Sequence, residues 1–352
     1  MLLSKFSYKS ISEFGSWEID NLYLDKFNLI VAKNATGKSM TLLKMSIINN
    51  LIKGVNIAND TNGFYQWEFE FIDNSSIVSY KFSFETNLKG NIKLEETLKV
   101  NSFTIIDRVN EQARIYSELT KKYINITPPD ASLVISSRRD KYEFPVSEKI
   151  IEWCNGFEYI AFSHQENSNK EIENVKANIA NLNSKGLTFL IADMNKLGYN
   201  LEYISVDKTK RFHQVSIKEK SLNHELDITE LSSGMFRTIG LLAYIELSLE
   251  KASLTTIAVD DIGEGLDYER STRLSKLLLE KIENSNIQLI ATSNDSFLMD
   301  VIPIKYWNIL QRSENKVSSL NYQNSKERFD KFLMTGLSNF DLFSSDYLLQ
   351  TK

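Results

Sequence analysis

Apolar and polar residues alternate along Leu2 to Tyr8 and again along Trp17 to Leu24, with Phe14-Gly15-Ser16 between them. This pattern predicts two half-buried strands joined by a turn. They lead into Leu29-Ile30-Val31, an apolar run that reads as a buried strand. Residues 32–39, AKNATGKS, turn the chain, and helical spacing resumes from Met40 to about Lys53. A polar segment rich in Asn, Asp and Gly, residues 54–63, closes this part. Strand-like alternation returns at Trp67 to Ile72, Ile77 to Glu85 and Ile92 to Val100, joined by Asp73-Asn74-Ser75 and Lys89-Gly90-Asn91. With Phe103 to Arg108 and Arg114 to Tyr116 these runs predict an antiparallel meander.

Pro128-Pro129 punctuates the chain, and the segment up to about Leu197 is read as helical with irregular breaks. Strand signals reappear at Leu201 to Val206 and Gln214 to Ile217. From Glu230 the pattern sharpens: residues 231–237, LSSGMFR, precede an apolar helix over Thr238 to Leu249. Leu254 to Val259 is a buried strand that ends in Asp260-Asp261 and is followed by residues 262–267, IGEGLD. A helix over Tyr268 to Ile282 leads to another buried strand, Ile287 to Thr292, which ends in Ser293-Asn294-Asp295. Strand, helix and strand at these intervals predict a parallel sheet with helical crossovers, which binds ligands beyond the carboxyl ends of its strands. The turn at 32–39, Asp260 and Asn294 all fall at such ends.

This pattern divides the chain into residues 1–60, residues 61–225 with the meander and a helical insertion, residues 226–323, and a tail, 324–352. The expected class is α/β, a mixed sheet whose core is parallel. Composition narrows the chemistry. The single cysteine, Cys154, excludes an internal disulfide framework and is read as a small core residue in a reducing cytosol. The histidines His164, His213 and His224 stand apart without ligand spacing, so a histidine or cysteine metal cage is not expected. No apolar run approaches the roughly 20 residues that span a bilayer, and the N-terminus lacks a signal-peptide layout. The expectation is a soluble cytoplasmic protein without a membrane partner. A net charge of −5 argues against whole-molecule attraction to nucleic acid and leaves local basic patches open.

The strand, turn and helix around AKNATGKS form a phosphate loop. Backbone N–H groups facing inward at a helix N-terminus hold polyphosphate oxygens. In this pattern Asn34, Ala35, Thr36, Gly37 and Met40 surround the phosphates, Lys38 reaches the β- and γ-phosphates, and the Ser39 hydroxyl takes one position on Mg²⁺. Ala32 stands where the first glycine of G-x-x-x-x-G-K-[ST] is usual, and alanine can make the turn if its φ stays negative. Taken singly, the other motifs have plain alternatives: Asp260-Asp261 as a turn pair after a strand, and Ser232 as an ordinary helix N-cap.

The ordered set AKNATGKS, LSSGMFR, IAVDDIGEGLD and IATSND resembles the Walker A, signature, Walker B with D-loop, and switch motifs of ABC-type ATPases. It is most similar to the SMC, RecF and OLD-like group, often labelled AAA family ATPases. The resemblance implies ATP and Mg²⁺ as cofactors, sandwiched between two copies in a head-to-tail homodimer. It implies that Ser232 and Gly234 of one copy contact the γ-phosphate held by the other, that Asp260 holds Mg²⁺, and that Asp267 belongs to the D-loop at the dimer interface. In the catalytic set Asp261, Asn294 and Ser232, two residues depart from the common pattern. Asp261 replaces Glu and is shorter by a methylene, and Asn294 replaces His and cannot carry its charge. A slow hydrolase is expected, with turnover below about 1 s⁻¹.

Residues 61–225 carry no sustained heptads and no Cys-x-x-Cys hook, which excludes a long SMC-type coiled coil and leaves a compact, RecF-like arrangement. Gln66 is a candidate Mg²⁺-sensing glutamine, with a solvated strand residue as the alternative. Arg138, Arg139 and Lys141, and Lys208, Lys210, Arg211 and Lys218, are either a nucleic-acid groove or a solvated face. The tail, with Phe329, Phe332, Leu333, Leu337, Phe340, Leu342 and Phe343, packs on its own core or docks a partner. No second catalytic cluster follows the motifs; if the output is damage or cleavage, the resemblance implies a separate effector protein that supplies it, as in prokaryotic antiphage or toxin-like systems. The alternative is a RecF-like repair ATPase acting directly on DNA.

Overall fold

The computed structural model describes residues 1–52, 62–86, 92–129, 132–161, 169–209, 213–251 and 254–345. At its centre lies a parallel sheet of the strands Phe157–Ala161, Thr255–Asp260, Ile287–Ser293, Phe27–Val31 and Trp307–Ser313, in that order. The three inner strands, Thr255–Asp260, Ile287–Ser293 and Phe27–Val31, are covered on both faces and buried nearly throughout. Alternation sends Leu29, Val31, Ile257, Val259, Leu289 and Ala291 into one apolar cluster. Ile30, Ala258 and Ile290 enter the other.

The first cluster is roofed by the helices Asn169–Asn181, Ser184–Lys196, Ser233–Leu249 and Tyr268–Glu283. Three of these are pinned together by Lys281, whose amine is 2.6 Å from Asp193 and also in contact with Glu246. Both carboxylate side chains are only 4% exposed, so their shared partner charge fixes the helices against one another. A small antiparallel sheet, Leu201–Asp207, Gln214–Glu219 and Leu226–Asp227, lies before the helix Ser233–Leu249. Its exit is set by a capping box between Asp227 and Glu230.

On the other side the sheet continues through Lys316–Asn321, Gly15–Tyr23 and Leu2–Ser12 into the meander. The meander runs through Gly63–Asp73, Ser76–Thr86, Ile92–Val100, Phe103–Val109, Gln112–Ser117 and Lys122–Ile126. Three of its hairpins turn on asparagines with positive φ: Asn74 at 56°, Asn101 at 52° and Asn110 at 54°. Asparagine tolerates this region where most side chains do not. The expected joint Lys89-Gly90-Asn91 and most of the polar segment 54–63 lie outside the described residues. Trp67 stacks on Phe82 and donates its indole N–H to the Lys44 carbonyl at 2.9 Å, which fastens the meander to the helix that follows the phosphate loop.

The strand Phe157–Ala161 falls in a segment expected to be helical. It pairs in parallel with Thr256 to Asp260 and adds a further carboxyl end beside Asp260. The hairpin Trp307–Ser313 and Lys316–Asn321 was not anticipated either; it bridges the parallel core to the N-terminal strands. The tail forms the helices Tyr322–Leu333 and Asn339–Ser344. Phe329, Phe332 and Leu342 are buried in the first cluster, while Leu333 and Leu337 stay more than half exposed.

Candidate functional site

Three strand ends converge on Lys38. The strand Phe27–Val31 passes into the loop 32–37, where Ala35 takes φ 62° and Gly37 takes φ 113°. Ala32 keeps a negative φ and is buried, so the chain turns without a glycine there. Gly37 caps the helix Lys38–Ser46, and a Cβ on it would meet the Trp17 ring at 2.6 Å. Glycine is therefore required by both φ and space. Arg312 lies 4.7 Å over the Trp17 ring and donates to the Ala35 carbonyl at 3.0 Å, bracing the loop from the strand Trp307–Ser313. Thr36 is buried, Asn34, Ser39 and Met40 are more open, and no acidic residue occupies the first helical turn.

The Lys38 amine donates to the Ala32 carbonyl at 3.2 Å and to the Asn294 side-chain oxygen at 2.7 Å. Asn294 in turn donates to the Asn34 side-chain oxygen at 3.0 Å, so the residue just beyond the strand Ile287–Ser293 clasps both the lysine and the loop. Lys38 is 8% exposed, and burial pushes its amine below the usual lysine range against the opposing pull of Asp261 and Asp260. Its hydrogen bonds go to neutral oxygens, which leaves its charge to an anion. That fits a polyphosphate.

Asp260 and Asp261 end the strand Thr255–Asp260 beside Thr292. The Thr292 hydroxyl donates to Asp260 Oδ1 at 2.6 Å and accepts the Asp261 backbone N–H at 2.8 Å. Asp260 Oδ2 has no hydrogen bond among the described residues, which leaves an oxygen of the kind a hard cation takes. The open Asp260 oxygen fits a hard cation such as Mg²⁺. Asp261 has φ 50°, a left-handed conformation that aspartate tolerates. Tyr159, on the edge strand, is pushed up to about 12 by burial and then by Asp260 and Asp261, so its hydroxyl stays protonated beside the carboxylates. A cavity of about 510 Å³ opens here, lined by Asn34, Asp261, Glu264, Asn294 and Phe297 among others.

Ser232 is exposed and caps the helix Ser233–Leu249, accepting from the Met235 N–H at 3.3 Å. The helix thus starts at Ser233 rather than at the expected Thr238. Gly234 is buried against the loop that carries Gly265: a Cβ on Gly234 would lie 2.4 Å from the Gly265 carbonyl oxygen. Arg237 pairs with Glu264 across the same contact. Asp267 caps the helix Tyr268–Glu283, and the Arg270 backbone N–H holds its carboxyl below the usual range. The structure therefore joins Lys38, Asn34, Asn294, Asp260 and Asp261 in one cluster and Ser232, Gly234 and the 263–267 loop in another. The Ser232 oxygen accepts from its own helix while its O–H stays available to donate, and none of its hydrogen bonds reaches the phosphate loop.

Gln66 lies within the strand Gly63–Asp73, three residues from its start, paired with Lys9 and Ser83. Its neighbour Trp67 reaches the phosphate-loop helix, so alternation turns Gln66 to the opposite, polar face with Glu68 and Glu70. Of the basic residues, Arg139 is paired with Glu148 and Lys218 with the Leu222 carbonyl, and Lys210 and Arg211 lie outside the described residues. Thr292, Tyr159, Trp17 and Arg312 were not read as site residues from sequence. Replacing Thr292 by valine keeps the strand's shape and removes both of its hydrogen bonds. Thermal denaturation of this variant is expected to show a loss of about 1–3 kcal/mol around Asp260.

No family model matches the sequence, and no curated protein matches it. Solved structures do. The crystal structure of the SmcHead bound to the C-winged helix domain of ScpA aligns with a TM-score of 0.55 at 12% identity, covering 93% of this chain and 100% of that one. The Smc head domain with an extended coiled coil, bound to the C-terminal domain of ScpA derived from Pyrococcus furiosus, aligns with a TM-score of 0.52 at 11% identity. That alignment covers 94% of this chain and 99% of the other. Among the described residues no helix is long and apolar enough to cross a membrane. At such identities the likeness is one of architecture: the chain has the α/β, ABC-type P-loop NTPase fold of SMC heads, with a mixed sheet, a β-meander and a helical insertion.

Proposed function

We propose that the protein is an ABC-type ATPase that binds Mg²⁺-ATP and closes as a head-to-tail homodimer around it. The observation that carries this reading is the separation of two half-sites. Lys38, Asp260, Asp261 and Asn294 form one, and the exposed Ser232 at a helix N-terminus forms the other, with no hydrogen bond from its hydroxyl to its own phosphate loop. Ser232 and Gly234 of a second copy complete the first half-site. In the closed state Mg²⁺ supplies charge neutralisation and polarises the terminal phosphate. Asp261 orients the attacking water, and Lys38 and Asn294 hold the terminal phosphate, which requires Asn294 to release Lys38 or Asn34 as nucleotide enters. Hydrolysis is slow because the carboxylate of Asp261 is short and Asn294 carries no charge.

Light scattering on a sizing column with and without Mg²⁺-ATP tests the reading directly. A monomer in both conditions would remove it. Gly234→Ala is expected to push the signature helix from the Gly265 carbonyl, costing about 1–3 kcal/mol of stability and weakening the ATP-dependent dimer. The variant's melting temperature and its sizing profile separate these two losses.

Gln66 lies within the strand Gly63–Asp73 on the face opposite Trp67, which supports the solvated strand residue over a Mg²⁺-sensing role. ATP turnover is expected to be nearly unchanged in Gln66→Ala. The finer reading is a nucleotide-controlled switch for a separate effector polypeptide, of the kind used in prokaryotic antiphage defence. ATP-dependent co-purification with the product of a neighbouring gene tests it, and salt-sensitive DNA binding without such a partner would favour action on DNA instead.

A further inference from the structure

The strands that end at the phosphate loop begin, at the opposite end of the sheet, around a second cavity of about 360 Å³. Its polar lining is a row of asparagines, one on each of three neighbouring strands: Asn28, Asn308 and Asn321, exposed by 2%, 3% and 4%. Their amide orientations follow from one another. Asn321 caps the helix Tyr322–Leu333, its Oδ1 accepting the backbone N–H groups of Gln323 at 3.1 Å and Asn324 at 3.0 Å. Its Nδ2 therefore faces the other way and donates to the Tyr23 carbonyl at 3.3 Å and to Asn308 Oδ1 at 3.0 Å.

That contact fixes Asn308 in turn. Its oxygen is occupied by Asn321, and its Nδ2 is left with two N–H groups and no hydrogen-bond partner among the described residues. Asn28 differs: it accepts from the Asp25 N–H at 2.8 Å and donates to the Asp25 and Leu289 carbonyls. Asn308 is buried among its neighbours while its free donors face the cavity, where they can meet an acceptor that enters it. The walls are aromatic, with Phe27 and Tyr306 at a centroid distance of 5.4 Å and Tyr322 nearby. At the mouth Lys26 and Lys305 are balanced by Asp25 and Glu283, which leaves no net charge to select an ion.

We propose that this cavity binds a small, uncharged planar ring bearing a hydrogen-bond acceptor, of nucleoside size, held by the Asn308 amide between aromatic walls. The volume lies at the small end of ligand sites. The five-residue strand Phe27–Val31 sets this cavity roughly 17 Å from the phosphate loop, so its occupant is distinct from the triphosphate.

Saturation-transfer NMR on the full chain, with adenosine and uridine as probes and inorganic phosphate as the charged control, tests the proposal. Wild type is expected to give a saturable signal with at least one nucleoside at millimolar concentration. That signal is expected to persist in Lys38→Ala and to weaken at least tenfold in Asn308→Leu and in Tyr306→Ala. The second variant, in the half-buried wall residue, decides the matter if the first does not fold. No saturable nucleoside signal, or a signal abolished by Lys38→Ala and retained in Tyr306→Ala, would overturn it.

Discussion

Replacing Lys38 by alanine is expected to weaken ATP binding roughly 30- to 5,000-fold and to abolish ATP-dependent self-association. The estimate follows from the surroundings of the amine. It is 8% exposed, its hydrogen bonds run to the Ala32 carbonyl and the Asn294 amide, and burial already lowers its affinity for a proton. An anion entering the loop therefore meets a desolvated cation whose charge is not consumed by a direct carboxylate contact. Removing one partner from such a pair costs about 2–5 kcal/mol. The apo protein loses less, because the same substitution also removes an amine that is costly to bury. Equilibrium titration with a fluorescent ATP analogue, alongside thermal denaturation, separates the two effects. Unchanged nucleotide affinity in a folded variant would defeat the assignment of the loop.

The elements that carry this site were legible to different degrees, and the reasons are physical. The strands Phe27–Val31, Thr255–Asp260 and Ile287–Ser293 are covered on both faces, and the sequence shows it as short unbroken apolar runs ending in Asp260-Asp261 and Asn294. The strand Phe157–Ala161 lies at the edge of the sheet with Glu158 exposed and Tyr159 half-buried, so its run is broken and reads no differently from the helix before it. The pairings of Gly15–Tyr23 with Lys316–Asn321, and of Leu2–Ser12 with Gly63–Asp73, join segments far apart in the chain, and no local pattern encodes them. Thr292 shows the same limit at the site itself. In sequence it is one more β-branched residue of a buried strand; its hydroxyl gains meaning only when register places it against Asp260 and Asp261. Asn308 likewise reads as a polar interruption of an apolar run until the cap of a neighbouring helix fixes its amide.

Asp261→Asn is expected to lower ATP hydrolysis by about 10²–10⁴-fold while leaving ATP affinity nearly intact, so that the nucleotide-bound dimer outlives that of the wild type. The substitution isolates the charge. Position 261 has φ 50°, which asparagine accepts as readily as aspartate, and the Asp260–Thr292 contact that shapes the metal side does not involve the Asp261 side chain. The reciprocal change, Asp261→Glu, restores the longer carboxylate of the common pattern. If the short side chain limits the rate by holding water about 1 Å too far from the phosphate, turnover rises, up to roughly 10²-fold. Glutamate tolerates the left-handed backbone less well than aspartate, which sets an expected stability loss of about 1 kcal/mol. Phosphate release and dimer lifetime, measured on both variants, give opposite signatures: a persistent, silent dimer for asparagine and a short-lived, active one for glutamate. Wild-type hydrolysis and dimer lifetime in Asp261→Asn would remove this carboxylate from the mechanism and leave a scaffold that binds nucleotide without using it.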